Sequence, residues 1–329
     1  MSEEVAVLGA GNMGTAIAQV AATNGHHVRL WSIEHDVLEE VRDKRLNTRY
    51  LDDVRLHDNI EPVWEMAEAV QGTRLVVICV PSQVVRAVSH DLGPLVGEGQ
   101  FVLNVGKGLE AVTHHRMSEV IASELADGCD PFVGSMGGPA VAIEMARGLP
   151  VAVIIGLPDH DATKVAQSIL QNEHLKVQTT QDVAGLEVCS TLKNVYAIAL
   201  GMCDGMRLGT NTKAFLSTVA IEEMRTIATR LGARPETVYG LAGLGDLITT
   251  GFSPHSRNRT LGDRLGAQGD WRGFIRTHTV EGVTAVRSMC ELTEGVAGLP
   301  LLATLNQVLF HDDPAVAAMR RFLASFTYS

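Results

Sequence analysis

Val5-Ala-Val-Leu8-Gly9-Ala-Gly11-Asn-Met-Gly14 decides the fold of this chain. Val5–Leu8 is apolar at every position, as a strand covered on both faces must be. It runs straight into Gly-x-Gly-x-x-Gly. A helical pattern then extends from Met13 to about Asn24, and Gly25 stands where helices favour a glycine cap. The glycine spacing alone is a weak signal in a chain with 32 glycines. Between a strand and a helix it has a mechanism. Gly9 permits the tight turn, Gly11 lets the backbone approach a pyrophosphate, and Gly14 lets the helix pack closely on the strand. A diphosphate would then meet the N–H groups and dipole of the helix N-terminus. The bland alternative is a plain strand–helix turn.

Working outward, Leu75–Val80 (ended by Pro81) and Val151–Ile155 are further wholly apolar runs, and Val28–Trp31 and Phe101–Val105 are apolar but for Arg29 and Asn104; helical patterns separate them. Such alternation predicts βαβ units and a doubly wound parallel sheet. After about Asp182 no strand-like run stands out. Long helical patterns dominate instead: Val183–Met202, Thr212–Leu231 and Val283–Leu292. The expected fold is α/β, an N-terminal Rossmann-like doubly wound sheet followed by an all-helical C-terminal domain. The boundaries are 1–187 for the dinucleotide-binding domain and 188–329 for the helical substrate-binding domain. The glycine-rich stretch Gly251–Gly273 is expected to be a loop region.

The 329 residues fit about two domains. A formal net charge of −11 argues against nucleic acid as a partner. An anionic substrate would need a local basic patch against that field. Cys79, Cys129, Cys189, Cys203 and Cys290 are odd in number and include no Cys-x-x-Cys pair, which predicts reduced, mostly buried thiols rather than disulfides or a zinc ribbon. Met1-Ser-Glu-Glu lacks the features of a signal peptide. The apolar runs Leu75–Val80 and Val195–Leu200 fall short of the roughly 20 residues that span a bilayer. These features predict a soluble, cytoplasmic protein with no membrane span. The 12 histidines, among them His26-His27 and His114-His115, have no metal-binding spacing; no metal is expected, and surface or loop positions are the simpler reading.

Two candidate sites follow. Glu34, after the second strand, is placed to accept the ribose 2′-hydroxyl of NAD, and no arginine stands beside it to meet the 2′-phosphate of NADP, although Arg29 is nearby. Glu34 is equally readable as a solvated helix start. Lys193 is the only basic residue in a largely apolar helical segment, Glu187–Leu200. Desolvation there favours a neutral base; the alternative is a lysine that snorkels to water. Gly106-Lys107-Gly108 follows a strand at the end of the sheet that lines the ligand crevice, so its ammonium suits an anion. Ser256-Arg257-Asn258 has the guanidinium fork and hydroxyl of a phosphate clamp. Arg259 and Arg264 close by make Arg257 readable as a surface arginine too.

The motifs Gly9-Ala-Gly-Asn-Met-Gly14, Val80-Pro-Ser82, Gly106-Lys-Gly-Leu-Glu110, Gly138-Pro-Ala-Val-Ala-Ile-Glu144, Leu192-Lys-Asn-Val195, Gly243-Leu-Gly-Asp-Leu247, Ser256-Arg-Asn258 and Glu281-Gly282 occur in one order along nearly the whole chain. Together they resemble the bacterial-type NAD(P)-dependent glycerol-3-phosphate dehydrogenases. The resemblance implies interconversion of sn-glycerol 3-phosphate and dihydroxyacetone phosphate with NAD or NADP, with a lean to NAD, in a homodimer that feeds glycerophospholipid synthesis. It implies Lys193 as general acid and base, with Lys107 and Asp246 also catalytic. Lys107, Gly138, Ala140, Asn194, Asp246, Thr250, Ser256, Arg257 and Asn258 would bind substrate. Gly9, Gly11, Asn12, Met13, Gly14, Glu34, Pro81, Lys107, Ala142, Arg257 and Glu281 would bind cofactor. The chain departs from the family pattern at Asn12-Met13, usually Ser-Trp, and at Ala140-Val141, usually serine and an aromatic. It departs again at Ser32-Ile33, where basic residues are common. The open rivals are a same-fold dehydrogenase for another phosphorylated polyol and a non-catalytic dinucleotide-sensing protein.

Overall fold

The computed structural model describes residues 2–125 and 132–327; Cys129 lies outside them, as does Met1. One sheet is formed by β1 (Glu4–Leu8), β2 (His27–Trp31), β3 (Ile60–Val63), β4 (Leu75–Ile78), β5 (Phe101–Asn104), β6 (Phe132–Gly137), β7 (Val151–Gly156) and β8 (Leu175–Thr180), in the order β3-β2-β1-β4-β5-β6-β7-β8. Every pairing is parallel except β6 with β7. The chain runs β1 to β2 to β3 on one side, then returns to β4 on the other, so the topological switch point lies between β1 and β4.

The apolar runs are continuous because both faces are covered. Val5 and Val7 join one core cluster, and Ala6 and Leu8 join the other. Deleting a fully buried side chain such as Leu30 would cost about 2–5 kcal/mol. The strands absent from the sequence reading are the ones that lack this pattern. Edge strand β3 carries Pro62, edge strand β8 alternates buried and exposed residues, and β6 contains Gly134 and Gly137.

The chain divides into two compact units, Met1–Glu110 with His115–Leu186, and Ala111–His114 with Glu187–Ser329. The division falls inside helix Val183–Gly205. Ala111–His114 groups with the second unit because His114 contacts the Ser288 hydroxyl at 3.1 Å and the Glu291 carboxylate at 2.6 Å.

The second unit is helical among its described residues. Gly251–Gly273 is not a loop region: it contains helix Arg257–Gly266 and the start of Trp271–Thr277, and it opens in the last turn of Asp246–Phe252. Its glycines serve close packing. A Cβ on Gly262 would lie 1.9 Å from the Ile198 carbonyl oxygen, and one on Gly201 would lie 2.0 Å from that of Arg259. Four-residue glycine spacing on both helices, Gly201/Gly205 and Gly262/Gly266, lets the two backbones touch.

Helix Val183–Gly205 also exceeds the apolar runs read from sequence. At 23 residues, with a mean hydropathy of 1.2 over its most apolar 18-residue window, it is long and apolar enough to cross a membrane, but 89% of that window is buried within the protein. The histidines differ from expectation as well. His26 is buried and its Nδ1 accepts from the Glu3 amide at 3.0 Å, while burial holds its pKa below the usual value. Cys79, Cys203 and Cys290 are not in disulfides, and burial pushes the thiols of Cys203 and Cys290 up to about 11.

Candidate functional site

In the first unit, backbone geometry makes the site. Gly9 follows β1 with φ +114°, and a Cβ there would meet the Cys79 carbonyl oxygen at 2.6 Å. A Cβ on Gly14 would lie 1.9 Å from the Gly9 oxygen. At Gly11, by contrast, a Cβ would meet nothing within 4 Å, so this face of the turn is open. Gly11 is also the N-cap of helix Asn12–Thr23, which presents its unpaired first-turn N–H groups here. That combination fits a dinucleotide diphosphate. The Gly9 amide donates to Trp31 O at 2.8 Å and the Cys79 amide to Leu8 O at 2.8 Å, tying the ends of β2, β1 and β4 together.

Other expected residues stand at the same edge of this sheet. Pro81 follows β4 and opens a short 3-10 turn. Lys107 follows β5, between Gly106 and Gly108 (φ +119°). The loop is set by Asn104, whose side chain accepts from the Gly106 amide at 3.0 Å and donates to the Gly106 carbonyl at 2.7 Å. Sequence reasoning passed over Asn104; its signal was a polar residue ending an apolar strand. Gly138 (φ +103°) and Ala140 follow β6, and Ala142 begins helix Ala142–Ala146; both alanines pack on the core.

Glu34 occupies the N-cap position of helix His35–Lys44, but its side chain makes no cap bond. It receives Arg49 at 2.9 Å and the Tyr50 hydroxyl at 2.7 Å. Arg49 and Tyr50 were also missed, because they reach Glu34 from 15 and 16 residues away.

In the second unit, side chains make the site. Lys193 is 6% exposed and Asp246 is 2% exposed. The Lys193 ammonium donates to Asp246 Oδ1 at 2.8 Å and to Thr250 Oγ1 at 2.8 Å, and Thr250 donates to the same Asp246 oxygen at 3.3 Å. This lysine does not snorkel. Asp246 is aimed by the turn before it: Leu241–Gly245 is a π-helical turn in which a Cβ on Gly243 would lie 2.0 Å from Val238 O.

Asn194, the next residue on the lysine's helix, donates to Glu281 Oε2 at 3.0 Å and accepts from Asn258 at 2.9 Å. Asn258 accepts in turn from the Gly282 amide at 2.9 Å. Ser256 is the N-cap of helix Arg257–Gly266, accepting from the Arg259 amide at 3.2 Å. Arg257, in the first turn, is exposed, whereas Arg259 is committed to Asp204 at 2.7 Å. The structure thus brings Lys193, Asp246 and Thr250 into one hydrogen-bonded cluster and Asn194, Asn258 and Glu281 into a second beside it. Among the described residues no group of three or more His, Cys, Asp or Glu side chains is placed to hold a metal ion.

Two family models match the chain: the NAD-dependent glycerol-3-phosphate dehydrogenase N-terminus over residues 4–163 and its C-terminus over residues 182–320. A glycerol-3-phosphate dehydrogenase, NAD(P)+, of Agathobacter rectalis is 36% identical, covering 97% of this chain and 95% of its own. That of Geobacillus kaustophilus is 38% identical, covering 94% of this chain and 90% of its own. A crystal structure of glycerol-3-phosphate dehydrogenase from Coxiella burnetii superposes with a TM-score of 0.90 at 31% identity, covering 98% of this chain and 99% of that one. With both halves matched in order and the relatives aligned over nearly their full length, the chain belongs to the NAD-dependent glycerol-3-phosphate dehydrogenase family.

Proposed function

We propose that this chain interconverts sn-glycerol 3-phosphate and dihydroxyacetone phosphate with NAD(P), using Lys193 as general acid and base. The observation that carries the reading is a buried ammonium fixed by Asp246 and Thr250 at 2.8 Å each. In reduction, the Lys193 ammonium donates a proton to the C2 oxygen as that oxygen gains charge. In oxidation, neutral Lys193 takes the proton from the C2 hydroxyl. The Asp246 carboxylate stabilises the ammonium, and the Thr250 hydroxyl fixes its direction. Burial keeps bulk water from competing for the proton. The nicotinamide, when bound, carries the hydride. Arg257 and the Ser256 hydroxyl take the substrate phosphate, with Asn258 and Asn194 holding that turn against the lysine's helix. Lys107 is the second cation for substrate and cofactor. The enzyme works in the cytoplasm as a homodimer and supplies glycerophospholipid synthesis.

Turnover of dihydroxyacetone phosphate with NADH and NADPH, run beside other ketose and polyol phosphates because of Ala140, tests the substrate. Lys193→Ala should lower kcat by about 10²–10⁴ while leaving nucleotide binding and the circular dichroism spectrum in place. Near-normal turnover in that variant refutes the role. Arg257→Ala should raise KM for dihydroxyacetone phosphate roughly ten- to a hundredfold with kcat little changed, the loss expected for a charge-assisted hydrogen bond. An unchanged KM places the phosphate elsewhere.

A further inference from the structure

We propose that this chain selects NAD over NADP, and that the selector is the corner after β2, where Glu34 reads the adenosine ribose and Arg49 and Tyr50 are positioning residues that hold it. The proposal rests on the dinucleotide half of the reading above and narrows it.

The corner is built onto the glycine turn. Ser32 accepts the Glu34 amide on its hydroxyl at 3.1 Å, which bends the chain as β2 ends. The segment Asn47–Leu51 is then strapped over the turn from both sides. Buried Asn47 donates to Ala10 O and to Thr15 Oγ1, each at 2.8 Å, and Asn12 donates to Tyr50 O at 2.7 Å. The strap delivers Arg49 to Glu34 Oε1 at 2.9 Å and the Tyr50 hydroxyl to Glu34 Oε2 at 2.7 Å. Arg49 also pairs with Asp36.

The charges at this corner decide which nucleotide fits. Glu34 and Asp36 contribute two carboxylates and Arg49 one guanidinium, a net of −1. Arg29, on β2 itself, is turned to Glu4 at 3.0 Å and to the carbonyls of Glu68 and Gln71. Ile33, 80% exposed, presents an apolar side chain. A ribose 2′-hydroxyl can donate to the Glu34 carboxylate. A 2′-phosphate has no proton to give at neutral pH in its dianionic form. It would face Glu34 and Asp36 directly, and it would gain Arg49 only by breaking the pairs that position Glu34.

The test is binding, read apart from turnover. Titrations of the full-length protein with NADH and NADPH, followed by nicotinamide fluorescence, are paired with calorimetry on ADP-ribose and 2′-phospho-ADP-ribose. The wild type should favour the forms without the 2′-phosphate by about ten- to a hundredfold, the worth of one charge-assisted hydrogen bond gained or lost. Added salt should narrow the ratio through the phosphorylated ligands. Glu34→Gln with Asp36→Asn should weaken NADH, strengthen NADPH and bring the two within about threefold. Tyr50→Phe should narrow the ratio in the same direction by less, and it carries the test if the double variant does not fold. Equal or tighter binding of NADPH by the wild type, or an unchanged ratio in the folded variants, overturns the proposal. Selective NADH binding without turnover of dihydroxyacetone phosphate would instead sink the proposed reaction and leave this inference standing.

Discussion

The two units make their sites from different material. In the first, the candidate nucleotide site is backbone: three glycines, a helix N-terminus, and strand ends tied by Gly9 and Cys79 amides. In the second, the candidate site is a set of side chains on helices, the buried Lys193 and Asp246 with the half-buried Thr250. A backbone site fails when something is added to it, because a Cβ on Gly9 or Gly14 would strike backbone and one on Gly11 would fill the open face of the turn. A side-chain site fails when something is taken away, because the remaining partner is left buried and unmatched.

The largest expected effect lies on the side-chain site. Asp246→Asn leaves the Lys193 ammonium without its carboxylate, which should destabilise the protein by about 3–5 kcal/mol in denaturant unfolding. A loss below about 1 kcal/mol would mean that the pair contributes little and that the contrast between the units is overstated. On the backbone site, Gly14→Ala places a methyl 1.9 Å from the Gly9 oxygen, a contact that no rotamer relieves. It should cost about 1–3 kcal/mol and abolish NADH binding in a fluorescence titration. Retained binding would show that the turn yields, and that its glycines are not what makes the site.

The smallest effect sharpens the picture within the helical unit. Glu223 caps helix Pro300–Phe310 from a distance, accepting the Leu301 and Leu302 amides at 2.6 and 2.9 Å and the Tyr196 hydroxyl at 2.9 Å. Burial pushes its carboxyl from 4.5 up to about 7, against the pull of those three donors. The native state therefore holds a proton that the unfolded state releases earlier. The stability this contributes is full below about pH 4.5 and is lost as pH rises to about 7. Unfolding curves across that window should weaken with pH in the wild type and flatten in Glu223→Gln. An equal slope in both would assign the pH dependence to other groups.

The difference in material also explains what could be read in advance. Val5–Leu8 and the glycines after it are a local pattern, and the sheet that follows them is covered on both faces and parallel except where β6 meets β7. Lys193 was conspicuous because a charge in an apolar helix is rare. Its two readings, buried base or snorkelling head, could not be separated until Asp246 and Thr250 were found against it. Gly251–Gly273 was misread because glycine density resembles a loop; Gly262 and Gly266 are there so that one helix can touch another. Arg49 and Tyr50 were invisible for a related reason. Nothing in Thr48-Arg49-Tyr50 says that a strap fastened by Asn12 and Asn47 carries them to Glu34.

The sequence by itself determined five of the eight strands, the nucleotide turn and the candidate base, because hydrophobic period, glycine spacing and an out-of-place charge act over a few neighbouring residues. Only the tertiary structure decided which carboxylate meets Lys193, what holds Glu34, and why two helices carry paired glycines. Each of those is a contact between segments distant in the chain, set by how whole elements pack rather than by what any one of them prefers.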